Sequence, residues 1–253
     1  MKNEYNFYNE IKNWDFSMIK CEEENLTNWD MYQILSENAK KNSKILDLGT
    51  GGGEKVIKNY PEVQEIVATD FSPEMIKTAK QNLLNSNRKN INFRVMNNLK
   101  MDVPANYFDI VVARHTCIDA NQVYKTLKPN GKLILRGVDK MDCWSLKLLF
   151  GKGQGFKDEK PISLIDYENI LSAGFRNVEL IPIHIREYYK TKDNLLALLY
   201  KTPILDNFSE VLEKDFENQG RIDLKLLGKY ISENTFEKGI LLVRRYYGIT
   251  AIK

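Results

Sequence analysis

Lys44-Ile45-Leu46-Asp47-Leu48-Gly49-Thr50-Gly51-Gly52-Gly53-Glu54 decides the fold. Lys44 to Leu48 is a short apolar run of strand length, after which the chain breaks into glycines and reopens as a helix from about Glu54. A buried parallel strand ending in a glycine turn is how open α/β sheets present a nucleotide-like ligand at the carboxyl ends of their strands. Glycines take backbone angles that a Cβ forbids and let the main chain approach a ligand closely. A dinucleotide fingerprint needs G-x-G-x-x-G; Gly49 and Gly51 fit, but the third position is Glu54, whose charge would meet a pyrophosphate near the helix start.

Working outward, Glu65 to Asp70 predicts the second strand, with Asp70 at its carboxyl end beside the glycine turn. A carboxylate there can accept both ribose hydroxyls of an adenosyl group, a geometry shared with dinucleotide enzymes. Ser72 and Pro73 predict a helix cap and first helical residue. Further strands are expected at 91–95, 107–113, 132–138, 175–188 and 239–252, and helices at 27–41, 118–127 and 163–173. Thr27 is expected to cap the first of these helices and Ser163 the last. Arg114-His115-Thr116-Cys117 follows the fourth strand, at the edge where ligands bind.

Asp47, Gly49, Gly51 and Gly53 match, position by position, the acid-x-Gly-x-Gly-x-Gly motif of class I S-adenosylmethionine (SAM) methyltransferases, which this stretch resembles. Asp70, Ser72 and Met75 are similar to that family's acid-x-Ser-x-x-Met pattern, and Phe108-Asp109-Ile110-Val111 and Leu127-Lys128-Pro129-Asn130-Gly131 to its later signatures. The resemblance covers residues 41–138 best and implies an α/β, three-layer Rossmann-like fold. Its sheet would be seven-stranded and mostly parallel, with an antiparallel last strand. The implied cofactor is SAM, with S-adenosylhomocysteine as product. SAM brings cationic ammonium and sulfonium groups, so an acid at Asp47 suits its methionine moiety. Gly49, Thr50, Gly51 and Gly53 would form the cofactor turn, Asp70 would hold the ribose, and Phe71 and Met75 would flank the adenine. Asn97 stands where such families often carry an acid toward the adenine; Asn97 or Asn98 could accept that bond without charge assistance. Arg114 joins the cofactor set, while Arg114 or Arg136 could bind an anionic substrate. Arg136 is odd inside an apolar strand, and a buried carboxylate partner would explain it equally well. His115 is the candidate base, since an unperturbed histidine titrates near neutrality.

The chain of 253 residues suits one large domain. The expected organisation is a helical N-terminal lid (1–42), a Rossmann-like core (43–188 and 239–253) and a helical cap inserted at 189–238. The aromatic residues from Tyr5 to Phe16 and the helical runs at 195–200 and 208–216 belong to lid and cap. A net charge of +3 with interleaved signs argues against a large polyanionic partner. Cys21, Cys117 and Cys143 form no C-x-x-C pair, and two histidines are too few for a zinc site, so no metal is expected. No stretch approaches the ~20 apolar residues of a membrane span, and a cytoplasmic protein is expected. The favoured function is methyl transfer to oxygen, nitrogen or carbon of a small molecule. The alternatives are an RNA base as acceptor, a SAM-binding protein without transfer, and an NAD(P)-dependent oxidoreductase. Oligomeric state is left open.

Overall fold

The computed structural model describes residues 19–208 and 222–253 of the chain. Strand β1 (Cys21–Asn25) precedes helix α1 (Met31–Asn38), and β2 (Lys44–Leu48) leads through the glycine turn into α2 (Glu54–Asn59). Then come β3 (Glu65–Asp70), α3 (Pro73–Leu84), β4 (Ile91–Val95), β5 (Phe108–Arg114), α4 (Ala120–Thr126) and β6 (Leu127–Val138). Helices α5 (Trp144–Phe150) and α6 (Ile162–Ser172) lead to β7 (Arg176–Tyr189) and α7 (Lys192–Lys201). Helix α8 (Leu224–Asn234), the two-residue β8 (Thr235–Phe236) and β9 (Gly239–Ile252) complete the described chain.

The strand order is β1-β7-β9-β6-β5-β2-β3-β4. Strands β4, β3, β2, β5 and β6 are parallel, and β9 runs antiparallel between β6 and β7. Successive residues of the central strands feed opposite faces, as the strand period of two requires. Leu46, Leu48, Val111, Ala113, Leu133 and Leu135 pack with Val123 of α4 and Ile170 of α6. Ile45, Ile66, Ala68, Ile110, Val112 and Ile134 pack on the other face with Met31 and Leu35 of α1, Val56 of α2 and Ala79 of α3. Both faces being covered explains the near-continuous apolar runs of these strands.

The expected seven-stranded sheet is present and carries two additions, β1 and β8. β1 corrects the expectation of an all-helical segment 1–42. Its sequence, Cys-Glu-Glu-Glu-Asn, has no apolar alternation, and its stability comes from pairing with β7. Glu24 pairs with Arg186, and Glu22 with Lys190 and Lys238, so the edge strand is heavily charged, which discourages pairing with another chain. The aromatic segment Tyr5 to Phe16 lies outside the described residues, as does the run at 209–216. Helix α1 begins at Met31, not near Thr27, because Asp30 accepts the backbone N–H groups of Tyr32 and Gln33. Helix α6 begins before Ser163, whose hydroxyl donates to Asp139 at 2.7 Å.

In the expected cap interval, α7, a 3-10 turn at Pro203–Leu205 and α8 share a third apolar cluster with α5 and the ends of β7 and β9. Among the described residues, no helix is long and apolar enough to cross a membrane.

Candidate active site

The glycine turn is built from β2 outward. Gly49, Gly51 and Gly53 all have positive φ, at 75°, 58° and 76°. The Gly49 and Thr50 N–H groups donate to the Thr69 carbonyl at 2.9 and 2.8 Å, stitching the turn to β3. Gly49 also lacks space: a Cβ would come within 2.7 Å of Thr116 Cβ. Thr116 is in turn held by Asn98, whose Nδ2 donates to Thr116 Oγ1 at 2.9 Å. The turn, the β4–β5 loop and the β5 end therefore lock together over the parallel edge of the sheet.

A cavity of ≈ 1000 Å³ opens at that edge. This is the upper end of the roughly 300–1,000 Å³ typical of small-ligand sites, room for a cofactor with a second molecule beside it. Asp47, Gly49, Thr50, Gly51, Asp70, Phe71, Met75, Asn97, Asn98, Arg114 and His115 all line it. Gly53 does not. It caps α2 in the left-handed conformation, where a Cβ would meet Phe93 at 2.6 Å, so packing rather than ligand contact demands glycine there.

Asp47 is 3% exposed. Tyr60 donates its hydroxyl hydrogen to Oδ1, while Oδ2 has no hydrogen-bond partner. Burial pushes the carboxyl up to about 6, against the Tyr60 and Thr50 hydroxyls, which favour the charged form, and the nearby Arg114 charge. The buried hydroxyls of Thr50 and Tyr32 make no well-formed hydrogen bond either, their nearest polar partners being Asp47 and Asn59. Buried polar atoms without partners are uncommon and call for an explanation, and a ligand is one. An ammonium group can satisfy Asp47 Oδ2, a carboxylate the Thr50 hydroxyl and Arg114. The residues present thus fit the amino-acid end of SAM.

At the other strand end, Asp70 accepts the Gly51 N–H at Oδ2 and the Ser72 N–H at Oδ1, both at 2.9 Å. Burial raises its pKa against these backbone donors. Each oxygen keeps acceptor capacity, as two lone pairs per oxygen allow. Ser72 caps α3 by accepting from Met75 N at 3.3 Å, with Pro73 first in the helix. Met75 is buried and Phe71 is 36% exposed, so Met75 forms floor and Phe71 rim. The two asparagines separate: Asn97 is exposed at the lip, its Oδ1 accepting from Leu99 N at 2.8 Å, whereas Asn98 is buried and committed to Thr116.

Beyond β5 the cavity turns cationic and aromatic. His115 has a φ of 53°, and its N–H donates to the Arg136 carbonyl at 2.8 Å. Its Nε2 lies 3.0 Å from Arg136 Nη1. A guanidinium only donates, so Nε2 accepts and the ring hydrogen sits on Nδ1. Burial, then the charges of Arg114, Arg136 and Arg244, hold its pKa well below the ordinary value, which keeps the ring neutral. The ring stacks on Tyr246 at 5.2 Å, and the Arg136 guanidinium lies 4.1 Å from the same tyrosine's centroid.

The carboxylate partner that would explain Arg136 is absent: neither Arg136 nor Arg114 has an ion pair among the described residues. Arg244 is the contrast, bonding Asp142 at 3.0 Å and Glu187 at 3.2 Å.

Sequence reasoning passed over Tyr32, Tyr60, Asp166, Tyr246 and Tyr247, all of which line the cavity. Tyr247 OH donates to Asp166 at 2.6 Å, and burial pushes Asp166 up to about 6. A usable signal existed at Gly137: a Cβ there would lie 2.1 Å from Tyr247, so this glycine within β6 marks a close crossing.

A ribosomal protein L11 methyltransferase of Listeria welshimeri is 30% identical over 111 residues, covering 42% of this chain and 35% of that protein. A malonyl-[acyl-carrier protein] O-methyltransferase of Ilyobacter polytropus is 24% identical over 238 residues, 86% of this chain and 82% of that protein. The chain spans 35–47% of the length of the first three curated relatives that it matches. Among solved structures, a putative methyltransferase of Bacillus halodurans superposes with a TM-score of 0.55 at 17% identity, covering 88% of this chain and 98% of that one. A family model described as "Methyltransferase domain" matches residues 39–181, more than half of the chain. With the reversed β9 and the glycine turn already in view, the chain belongs to the methyltransferase-domain family and has the class I, Rossmann-like fold of SAM-dependent methyltransferases.

Proposed function

We propose that the protein transfers a methyl group from SAM to an oxygen, nitrogen or carbon nucleophile of a small molecule. The observation that carries this reading is the buried Asp47 carboxylate beside the Thr50 hydroxyl, its Oδ2 without a well-formed hydrogen bond among the described residues, in a cavity with room for two molecules. SAM, when bound, supplies an electrophilic methyl on a sulfonium leaving group. The chain's task is then to align the nucleophile and exclude water, which is where such reactions gain most of their rate. Asp47 and Thr50 would hold the amino-acid end with Arg114, Asp70 the ribose, and Phe71 and Met75 the base. Leu198, Thr202, Pro203 and Ile204 of the inserted segment reach the cavity wall, which supports the reading of 189–238 as a cap that selects the acceptor.

Calorimetric titration with SAM and S-adenosylhomocysteine, with NADH and NADPH as controls, tests the reading. Saturable binding of the adenosyl pair alone is expected. Binding of the nicotinamides instead, or of neither pair, would overturn it.

A further inference from the structure

Arg136 is a half-buried cation with no ion pair among the described residues. It projects from the carboxyl end of β6 and stands directly beside Arg114 in the parallel register of β5 and β6. Like charges at such paired positions repel. Apart from Arg114, the described groups around it are neutral or already neutralised. His115 is neutral and takes one guanidinium hydrogen. Tyr246 offers its ring face. Arg244 is committed to Asp142 and Glu187. Tyr32 contributes a buried hydroxyl without a well-formed hydrogen bond. A buried charge without a counter-ion is strongly unfavourable, and a chain bears that cost where a ligand relieves it.

We propose that the methyl acceptor is an anion, a carboxylate or a phosphate ester, and that Arg136 grips it. The inference rests on the methyl-transfer reading for the word acceptor, but the anion site stands on the arginine alone. Arg114 is closer in effect to Asp47, whose ionisation it favours, and so belongs to the amino-acid end of the cofactor. Arg136 lines the same cavity over Tyr246, on a strand one further from Asp47 than the strand of Arg114, which sets it away from the cofactor turn and toward the space left for a second molecule. Its planar fork, placed over the Tyr246 ring and bonded to His115, presents its remaining hydrogens in one plane, the geometry that recognises two oxygens at once. An anion there also offsets the positive charge that SAM brings.

The test titrates three probes of similar shape, benzoate, phenyl phosphate and neutral benzamide, into the protein alone and into its S-adenosylhomocysteine complex. At least one anion is expected to bind, at least tenfold tighter than benzamide. Its affinity should fall tenfold or more in Arg136→Met and less in Arg136→Lys, which keeps the charge but loses the fork. S-adenosylhomocysteine affinity should stay within twofold in both variants. Arg136→Met should also melt no lower than the wild type, because it removes an uncompensated charge; this checks that lost binding is not lost folding. Benzamide binding as tightly as the anions, no anion binding, or anion binding unchanged in Arg136→Met would overturn the inference. Failure of S-adenosylhomocysteine to bind would overturn the cofactor reading instead, with the anion titration of the protein alone still decisive for Arg136. Preference for benzoate or for phenyl phosphate separates the two acceptor chemistries.

Discussion

The Tyr60 hydroxyl donates to one oxygen of Asp47 and leaves the other buried with no well-formed hydrogen bond among the described residues, so the carboxylate is held in place yet incompletely satisfied. This pair spans the glycine turn, from the strand before it to the residue just past α2. It aims a negative charge at the cavity at a cost to the apo protein.

That cost has a sign. The folded pKa of Asp47 is raised from 3.8 to about 6, so the folded state holds the proton more tightly than the unfolded chain. The favourable contribution is present at low pH and is lost as pH rises through 4 to 6. Each pKa unit is worth ~1.4 kcal/mol. Asp47→Asn should therefore stabilise the ligand-free protein at pH 8, by up to about 3 kcal/mol, and give no gain at pH 4. It should also weaken SAM binding by about 100-fold or more, the scale of a lost buried charge pair. Thermal melts at the two pH values and calorimetry read both effects. A mutant destabilised at pH 8, or one that binds SAM normally, would refute this account of the site.

Tyr60→Phe separates the hydroxyl from the charge. The hydroxyl favours ionised Asp47, so its loss raises the carboxyl further. Wild-type affinity for SAM should fall as pH drops through about 6, because a protonated Asp47 no longer attracts an ammonium. In Tyr60→Phe the same fall should begin at higher pH. Identical pH profiles for the two proteins would show that Tyr60 does not tune the carboxylate.

Much of this core was legible because one physical pattern repeats. Buried parallel strands need apolar residues on both faces, so β2, β3 and β5 announce themselves as continuous runs. Helix starts with a side-chain cap, as at Ser72, leave a local mark, and the positive φ of Gly49, Gly51 and Gly53 explains why glycine recurs in the turn. Tertiary contacts left no such mark. β1 is three glutamates that form a strand only because β7 is there to pair with them. Tyr60 looked like a helix end, and Tyr246 and Tyr247 like ordinary residues of a long strand. Their roles depend on which neighbours β9 brings beside β6. Arg136 is visible in the sequence as an anomaly, but the sequence does not show that it has no carboxylate partner among the described residues.

Asp70→Ala tests the ribose position. Asp70 also accepts two backbone N–H groups that close the turn, so the mutation carries a structural cost. Leaving two such donors unpaired costs ~1–3 kcal/mol each when buried. Asp70→Asn keeps acceptor oxygen for one of them and is the cleaner variant. It should lose tenfold or more in SAM affinity with a melting temperature close to wild type. Unchanged affinity in the folded Asn variant would remove Asp70 from the cofactor site.

His115 offers a sharper choice. Its Nε2 lone pair is occupied by Arg136 and its pKa is pushed well down, so it is poorly placed to take a proton. We expect it to orient Arg136 instead. With an acceptor in hand, His115→Ala should raise the acceptor KM more than it lowers kcat, leave SAM affinity intact, and leave the pH–rate profile unchanged in shape. A drop in kcat with KM unchanged, or loss of an ionisation from the profile, would restore His115 as the base.

Arg244 shows what a satisfied arginine looks like in the same cavity. Its guanidinium bonds Asp142 through Nε and Nη2 and Glu187 through Nη1, while Asp142 also accepts the Arg245 N–H at 2.8 Å and Glu187 accepts the Tyr189 hydroxyl at 2.5 Å. The network ties β7, β9 and the segment before α5. Arg244→Ala would strand two buried carboxylates, and breaking a buried pair in this way costs about 3–5 kcal/mol. Urea denaturation should register that loss. Adding Asp142→Asn and Glu187→Gln should recover much of it, because the neutral amides keep an acceptor for Arg245 N–H and Tyr189 while shedding the charge. A single variant that loses less than ~1 kcal/mol, the scale of an exposed pair, would mean that solvent reaches these carboxylates. Arg244 and Arg136 would then be alike in being compensated by solvent.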